Sequence, residues 1–173
     1  MRRWNGWGDE RIEYELPSAA LPFLTKKIGA SVPPVDVEIN AALAQIPFSR
    51  LPPHPRVNTE PMTRLCHSFG QSLPDWFRLR FGRLGRVTDG VWRIECEEDI
   101  AQALRYAAQH EVRVLVYGGG TSVVGHFNID DVVEPVLTLA FADYCKLREL
   151  RADDRLALFD AGVSGPLLEA QLR

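Results

Sequence analysis

No stretch of this sequence approaches the roughly 20 consecutive apolar residues that a membrane-spanning helix needs. The opening Met1-Arg2-Arg3-Trp4-Asn5-Gly6-Trp7-Gly8 lacks the apolar run of a secretory signal, so a cytoplasmic location is the expectation. Cysteine is scarce. Cys66, Cys96 and Cys145 are odd in number, widely spaced and form no Cys-x-x-Cys pair, which excludes the usual structural zinc and thioredoxin patterns. Free thiols in a reducing compartment are expected. The histidines, His54, His67, His110 and His126, make no His-Glu-x-x-His helix pattern, and Cys66-His67 are sequence neighbours that point different ways on one element. No metal is expected. An excess of positive charge is missing too. Twenty Lys and Arg stand against 23 Asp and Glu, a formal charge of -3, which argues against a general nucleic-acid binder.

What is present is the ordinary mix of a globular protein, 46% hydrophobic and 25% charged over 173 residues, enough to bury a core. The two halves differ. Residues 1–85 are broken by Leu16-Pro17, Leu21-Pro22, Val32-Pro33-Pro34, Ile46-Pro47 and Leu51-Pro52-Pro53, because the residue before proline is pushed out of helical geometry. Between the breaks, Ala19 to Ile28 and Val35 to Gln45 carry apolar residues at helical spacing, with Asp36 able to cap the second. Arg50 to Pro61 reads as irregular chain. Arg78, Arg80, Arg83 and Arg86 follow, read either as an anion-binding strip or as a solvated helix end and connector.

The rhythm changes after Arg86. Gly90 to Ile94 reads as a strand, Glu97 to His110 as an amphipathic helix on Ile100, Ala103, Leu104, Ala107 and Ala108, and Val112 to Tyr117 as a β-branched strand. This β-α-β order favours a parallel pair joined by a helix. Pro135 to Leu139 and Arg155 to Ala161 read as further strands, and a last helix starts near Ser164 or Gly165. Its apolar stripe, Leu167, Leu168 and Leu172, ends at Arg173 with no glycine or proline to close it, so the chain is expected to be the N-terminal part of something larger.

One segment carries chemistry. Tyr117-Gly118-Gly119-Gly120-Thr121-Ser122-Val123-Val124-Gly125 follows a strand directly. Three glycines remove side-chain bulk and permit positive φ, so successive backbone N–H groups can converge on an anion. The hydroxyls of Thr121 and Ser122 stand at its edge, and the crevice after a strand is where α/β folds place phosphate-bearing ligands. The common phosphate motifs fail. A Gly-x-Gly-x-x-Gly frame from Gly118 puts Val123 at its last position, and a Walker A frame from Gly120 reaches Gly125 but then meets His126 where lysine is required. A kinase-like phosphate domain is therefore disfavoured. A plain tight turn stays open as the alternative.

Val112 to Gly125 resembles the pyrophosphate loop of the FAD-binding domain of the vanillyl-alcohol oxidase/p-cresol methylhydroxylase superfamily, in particular its alkyldihydroxyacetonephosphate synthase branch and bacterial FAD-linked oxidase relatives. Other pieces match in order: Arg3 to Gly8, His67-Ser68 through Pro74-Asp75-Trp76, Val87 to Val91, Glu97 to Ile100, and Ala161 to Gly165 followed by Leu167-Leu168. Departures fall at His126, Phe127, Ala140, Ile94-Glu95-Cys96 and Asn128 to Glu134. The resemblance implies an α+β fold, a first and incomplete part of a PCMH-type FAD-binding domain over residues 86–173, preceded by a mainly helical, proline-rich segment over 1–85. It implies FAD held non-covalently by Val116, Tyr117, Gly118, Gly119, Gly120, Thr121, Ser122, Val123, Gly125 and Gly162, since His126 lies five positions from where some members attach the flavin. Catalytic residues would lie beyond Arg173. The implied whole protein is a flavoenzyme, of ether-lipid synthesis or of 2-hydroxy-acid oxidation. It would take a small-molecule substrate (an acyl or alkyl glycerone phosphate, or a 2-hydroxy acid), with no nucleic acid and with a homodimer possible. The rival is a non-catalytic remnant or interaction module that keeps the fold.

Overall fold

The computed structural model describes residues 3–13, 15–30, 32 and 36–173. In chain order the elements are α1 (Ala20–Ile28), α2 (Ile39–Leu43), β1 (Val57–Asn58), α3 (Pro61–Cys66), α4 (Leu73–Arg80), β2 (Gly90–Arg93), α5 (Glu97–Gln109), β3 (Arg113–Tyr117), β4 (Val136–Ala140), β5 (Leu147–Arg151), β6 (Leu156–Phe159) and α6 (Gly165–Leu172). Helices and strands are mixed, as the α+β reading expects.

The main sheet has the order β1-β2-β4-β3. β2 and β3 each run parallel to β4, and β1 is antiparallel to β2. The expected β-α-β unit is therefore present, but β2 and β3 do not pair with each other; β4 lies between them. The reason is hydrophobic. Val136-Leu137-Thr138-Leu139-Ala140 is buried at every position, the mark of a central parallel strand covered on both faces. β3 takes the edge. Below the sheet, Trp92 is fully buried and stacks on His54 with ring centroids 4.6 Å apart, and Tyr106 of α5 packs beside both. Tyr106 donates its hydroxyl to the Pro52 carbonyl at 2.7 Å, so one aromatic group ties the N-terminal segment to the helix.

α5 begins where three acidic residues, Glu97, Glu98 and Asp99, suit the positive end of the helix dipole. Asp99 also accepts the backbone N–H of Glu95 at 2.9 Å and pairs with Arg56 at 2.6 Å.

The N-terminal segment differs from expectation in several ways. α2 spans only Ile39–Leu43, and its N-cap is Glu38, with no side-chain cap bond. Asp36 does not cap it; its carboxylate accepts from Arg80 at 3.0 Å instead. Val35, where the sequence starts this helix, and the Pro33-Pro34 break lie outside the described residues. The stretch expected to be irregular supplies β1 and leads into α3, which has Pro61 in its first turn. α4 begins at a reciprocal capping box between Ser72 and Asp75. The arginine run is neither an anion strip nor a purely solvated connector. Arg78 pairs with Asp130 at 2.6 Å, Arg80 with Asp36, and Arg86 with Asp89 at 3.4 Å, so three of its four charges meet carboxylates of the same chain.

β5 was not visible in the sequence, because Leu147-Arg148-Glu149-Leu150-Arg151 has no alternation of apolar and polar residues. It forms a two-stranded antiparallel ribbon with β6, and this ribbon is exposed along nearly its whole length. α6 docks through Gln171, which accepts the Leu147 N–H at 2.6 Å and donates to the Cys145 carbonyl at 3.0 Å.

Candidate functional site

β3 ends at Tyr117, whose ring is buried against Phe127 and whose hydroxyl donates to the Cys66 carbonyl at 2.8 Å. The side chain thus anchors the strand end, and only its backbone reaches the loop. The preceding Val116 is exposed on the edge strand. Gly118, Gly119 and Gly120 follow. Gly120 has φ 62°, in the left-handed region that glycine enters at no steric cost. A Cβ on Gly118 would meet nothing within 4 Å, and one on Gly119 only the Thr121 methyl at 3.7 Å. The chain therefore presents bare backbone beside open space.

The far end of the loop is held rigidly. The Gln71 N–H donates to the Ser122 carbonyl at 2.7 Å, and the Gln71 side-chain oxygen accepts from the Trp76 indole at 2.7 Å. Gly70 comes so close that a Cβ there would stand 2.4 Å from the Ser122 oxygen. The Ser122 hydroxyl and His126 Nδ1 share a hydrogen bond of 2.7 Å. Val123 is exposed, Gly125 is half-buried, and Thr121 is exposed at the rim. Gly162 lies one layer away. It packs on the Phe141 carbonyl, and Phe141 donates its N–H to the Tyr117 carbonyl at 3.0 Å. The structure thus gathers Gly118 to Ser122 into one loop and places Gly162 behind it through Phe141.

A cleft of about 230 Å³ opens over this loop, lined by Trp7, Gly8, Gln71, Gly119 and Thr121. None of these five carries a negative charge, so nothing lining the cleft repels an anion. A side-chain-free turn at a strand end, with donors nearby and space above it, fits a diphosphate.

Residues 88–173 match the family model described as FAD binding domain. They form an FAD-binding domain. Its cofactor is FAD. The whole chain is similar to alkyldihydroxyacetonephosphate synthase of Trypanosoma brucei brucei, with 26% identity over 98% of this chain and 33% of that protein. It is also similar to the synthase of Dictyostelium discoideum, with 25% identity over 98% of this chain and 34% of that protein. The chain spans about a third of the length of these curated relatives. A solved structure of alkyldihydroxyacetonephosphate synthase superposes with a TM-score of 0.79 over 99% of this chain and 38% of that one, at 20% identity, which shows a shared fold.

Gly70, Gln71, Trp7 and Gly8 of this FAD-binding chain were not among the residues picked from the sequence. The signal for them lay in the two pieces Arg3 to Gly8 and His67 to Trp76, which resemble the family without any motif of their own. Among the described residues no group of three His, Cys, Asp or Glu could hold a metal, and no helix is long and apolar enough to cross a membrane.

Behind Gly162, Asp160 is buried and accepts from the Lys146 N–H at 2.9 Å and from the Arg148 guanidinium. Burial alone would raise its carboxyl, but the bond from Arg148 and that from Lys146 outweigh it and hold the group below the ordinary carboxylate value of 3.8. Asp99 is held low in the same way: burial pushes up, while the Glu95 N–H and Arg56 push down further. A depressed carboxyl stabilises the fold fully above its unfolded value. That contribution is lost as pH falls from about 5 through the acid range, where the unfolded chain takes up the proton first. Asp160→Asn is accordingly expected to lower the melting temperature at pH 7 and to flatten its fall on acidification. Melting curves of both forms between about pH 3 and 7 check this; parallel curves would mean the carboxylate contributes nothing to the acid sensitivity.

Proposed function

We propose that this chain supplies the diphosphate-binding region of a flavoenzyme of the alkyldihydroxyacetonephosphate synthase type, with residues 86–173 as the flavin module and residues 1–85 as a helical segment strapped onto it. The observation that carries the reading is the glycine turn at Gly118 to Gly120, with open space beside Gly118 and Gly119 and with Gln71 bracing the loop at Ser122. In this reading the backbone of Gly118 to Ser122, with the Thr121 hydroxyl, holds the diphosphate non-covalently. Tyr117, Gly125 and Gly162 hold the shape of the loop, and Val116 and Val123 border it. When bound, FAD supplies the electron-transfer chemistry at its ring system, and the protein supplies binding and orientation. The substrate of the whole protein would be a glycerone phosphate carrying an acyl or alkyl chain, on the strength of the names of its relatives. Three cysteines, none of them in a disulfide, support a reducing, cytoplasmic setting.

The test uses the isotopically labelled chain titrated with FAD. The amide signals of Gly118 to Ser122 are expected to shift. Gly119→Val should fold normally, because the added group points into open space, yet it should weaken FAD by at least about tenfold, or 1.4 kcal/mol. A variant that titrates like the parent would refute the loop assignment.

A further inference from the structure

Resting on the FAD reading above, we propose that the N-terminal turn Trp4 to Asp9 is a wall of the dinucleotide site, with the Trp7 indole covering the diphosphate end of the ligand opposite the glycine loop.

The turn is built to present that side chain. The Arg3 N–H donates to the Gly8 carbonyl at 2.9 Å and closes it, and the Arg3 guanidinium donates to the Ile12 carbonyl at 2.9 Å and fixes the chain that leaves it. Trp4 packs against the hydrophobic cluster of Leu65, Phe69 and Leu79. A narrow gap of about 40 Å³ between Arg3-Trp4 and Leu65 to Gln71 shows how closely the turn sits on the strap that braces the loop. Gly6 is buried, and a Cβ there would lie 3.5 Å from the Arg80 guanidinium. One tryptophan of the pair is thus anchored in the core.

The other is left out. Trp7 is 59% exposed, although an indole is among the most costly side chains to leave in water. It stands across the 230 Å³ cleft from Gly119 and Thr121, with Gln71 at the side. The lining is complementary to one ligand class. A flat apolar ring with an N–H suits sugar carbons and a phosphate oxygen, while a hydroxyl and bare backbone face it and no carboxylate intrudes. The cleft is smaller than the roughly 300–1,000 Å³ of a complete small-molecule pocket, so it takes a portion of a dinucleotide, the diphosphate and the sugar next to it. Gln71 belongs to both halves of this arrangement: its N–H holds the loop, and the residue is part of the cleft lining. The N-terminal turn and the loop, over a hundred residues apart in sequence, would therefore close on one ligand.

The experiment titrates the labelled chain and its Trp7→Ala and Trp7→Phe variants with FAD, and separately with inorganic diphosphate, following the indole N–H signal of Trp7 and the amides of Gly118 to Ser122. In the parent, FAD is expected to shift the Trp7 indole together with the loop amides. Trp7→Ala should leave the melting temperature unchanged, since the side chain is mostly exposed, and weaken FAD by about tenfold, whereas Trp7→Phe should retain most of the affinity. Inorganic diphosphate, which has no sugar to cover, should bind the parent and Trp7→Ala alike. If FAD shifts the loop amides but Trp7→Ala binds it as tightly as the parent, the N-terminal wall is wrong and the loop assignment stands. If FAD leaves the loop amides of the parent unmoved, both are wrong.

Discussion

Gly162→Ala should be among the most damaging single-methyl additions this chain can receive. A Cβ there would stand 1.6 Å from the Phe141 oxygen, 2.6 Å from its carbonyl carbon and 2.7 Å from the Tyr144 oxygen. All three are backbone atoms, so no side chain can swing away. Overpacking in a core usually costs about 1–3 kcal/mol because neighbours adjust, and here the only adjustment is to push the backbone segments away from each other. A loss of about 3 kcal/mol or more is expected, a fall of roughly 6–12 °C in melting temperature for a chain of this size. The displacement should also travel. The Gly162 N–H donates to the Tyr144 carbonyl at 2.7 Å, and Phe141 donates to Tyr117 immediately before the glycine loop. FAD binding should weaken alongside stability. Gly165→Ala is the matched control, because a Cβ there meets nothing within 4 Å and alanine favours a helix start over glycine. Denaturant unfolding of both variants decides the matter; equal stability would mean that the approach of Gly162 to Phe141 is not tight in solution.

Asp89→Ala is expected to cost about 3 kcal/mol. This carboxylate is buried and collects five hydrogen bonds: the Arg50 Nε at 3.0 Å, its Nη2 at 2.9 Å and its backbone N–H at 3.3 Å, the Arg86 guanidinium at 3.4 Å, and the Val136 N–H at 2.8 Å. It also offsets the burial of Arg64, whose guanidinium is held below its ordinary value by desolvation and partly restored by the Asp89 charge. Removing it leaves a cluster of arginines facing one another and an orphaned amide at the start of β4. Arg50 is 44% exposed, so water relieves some of the loss, which keeps the figure at the lower end for a broken buried pair. Asp89→Asn should recover little, since its NH₂ would face donors on every side. Because the group is shielded, raising salt from about 0.05 to 0.5 M should change the effect of Asp89→Ala only slightly, whereas the exposed Arg105–Glu98 pair should respond. A loss below about 1 kcal/mol in urea unfolding would show that the cluster relaxes into solvent.

Periodicity is a short-range property, and what it encodes was legible. α5 runs over nearly the residues its apolar face marks, β2, β3 and β4 fall within a residue or two of their apolar runs, and α6 starts at Gly165 as read. The bare loop after Val112 to Tyr117 was equally plain, because glycine's lack of a side chain is written in its letter. Pairing partners are not short-range. Nothing local in Pro135 to Leu139 says that this strand enters between β2 and β3; total burial on both faces puts it there. Val57-Asn58 is a strand only because β2 offers an edge, and Leu147 to Arg151 only because β6 folds back on it. The arginines between Arg78 and Arg86 showed their charge but not the aspartates they meet, which stand 44 to 52 residues away for Arg80 and Arg78. Glycine hides its reason in the same way. Gly120 is needed for its dihedral angles, and Gly70 and Gly162 for the backbone atoms pressed against them, yet all three read alike in the chain. The sequence by itself determined most of the helices and strands and the absence of side chains in the turn after β3. The tertiary structure alone decided which strands are neighbours, which charges are neutralised and which distant residues brace or cover that turn, because burial and close approach arise between segments and have no local signature.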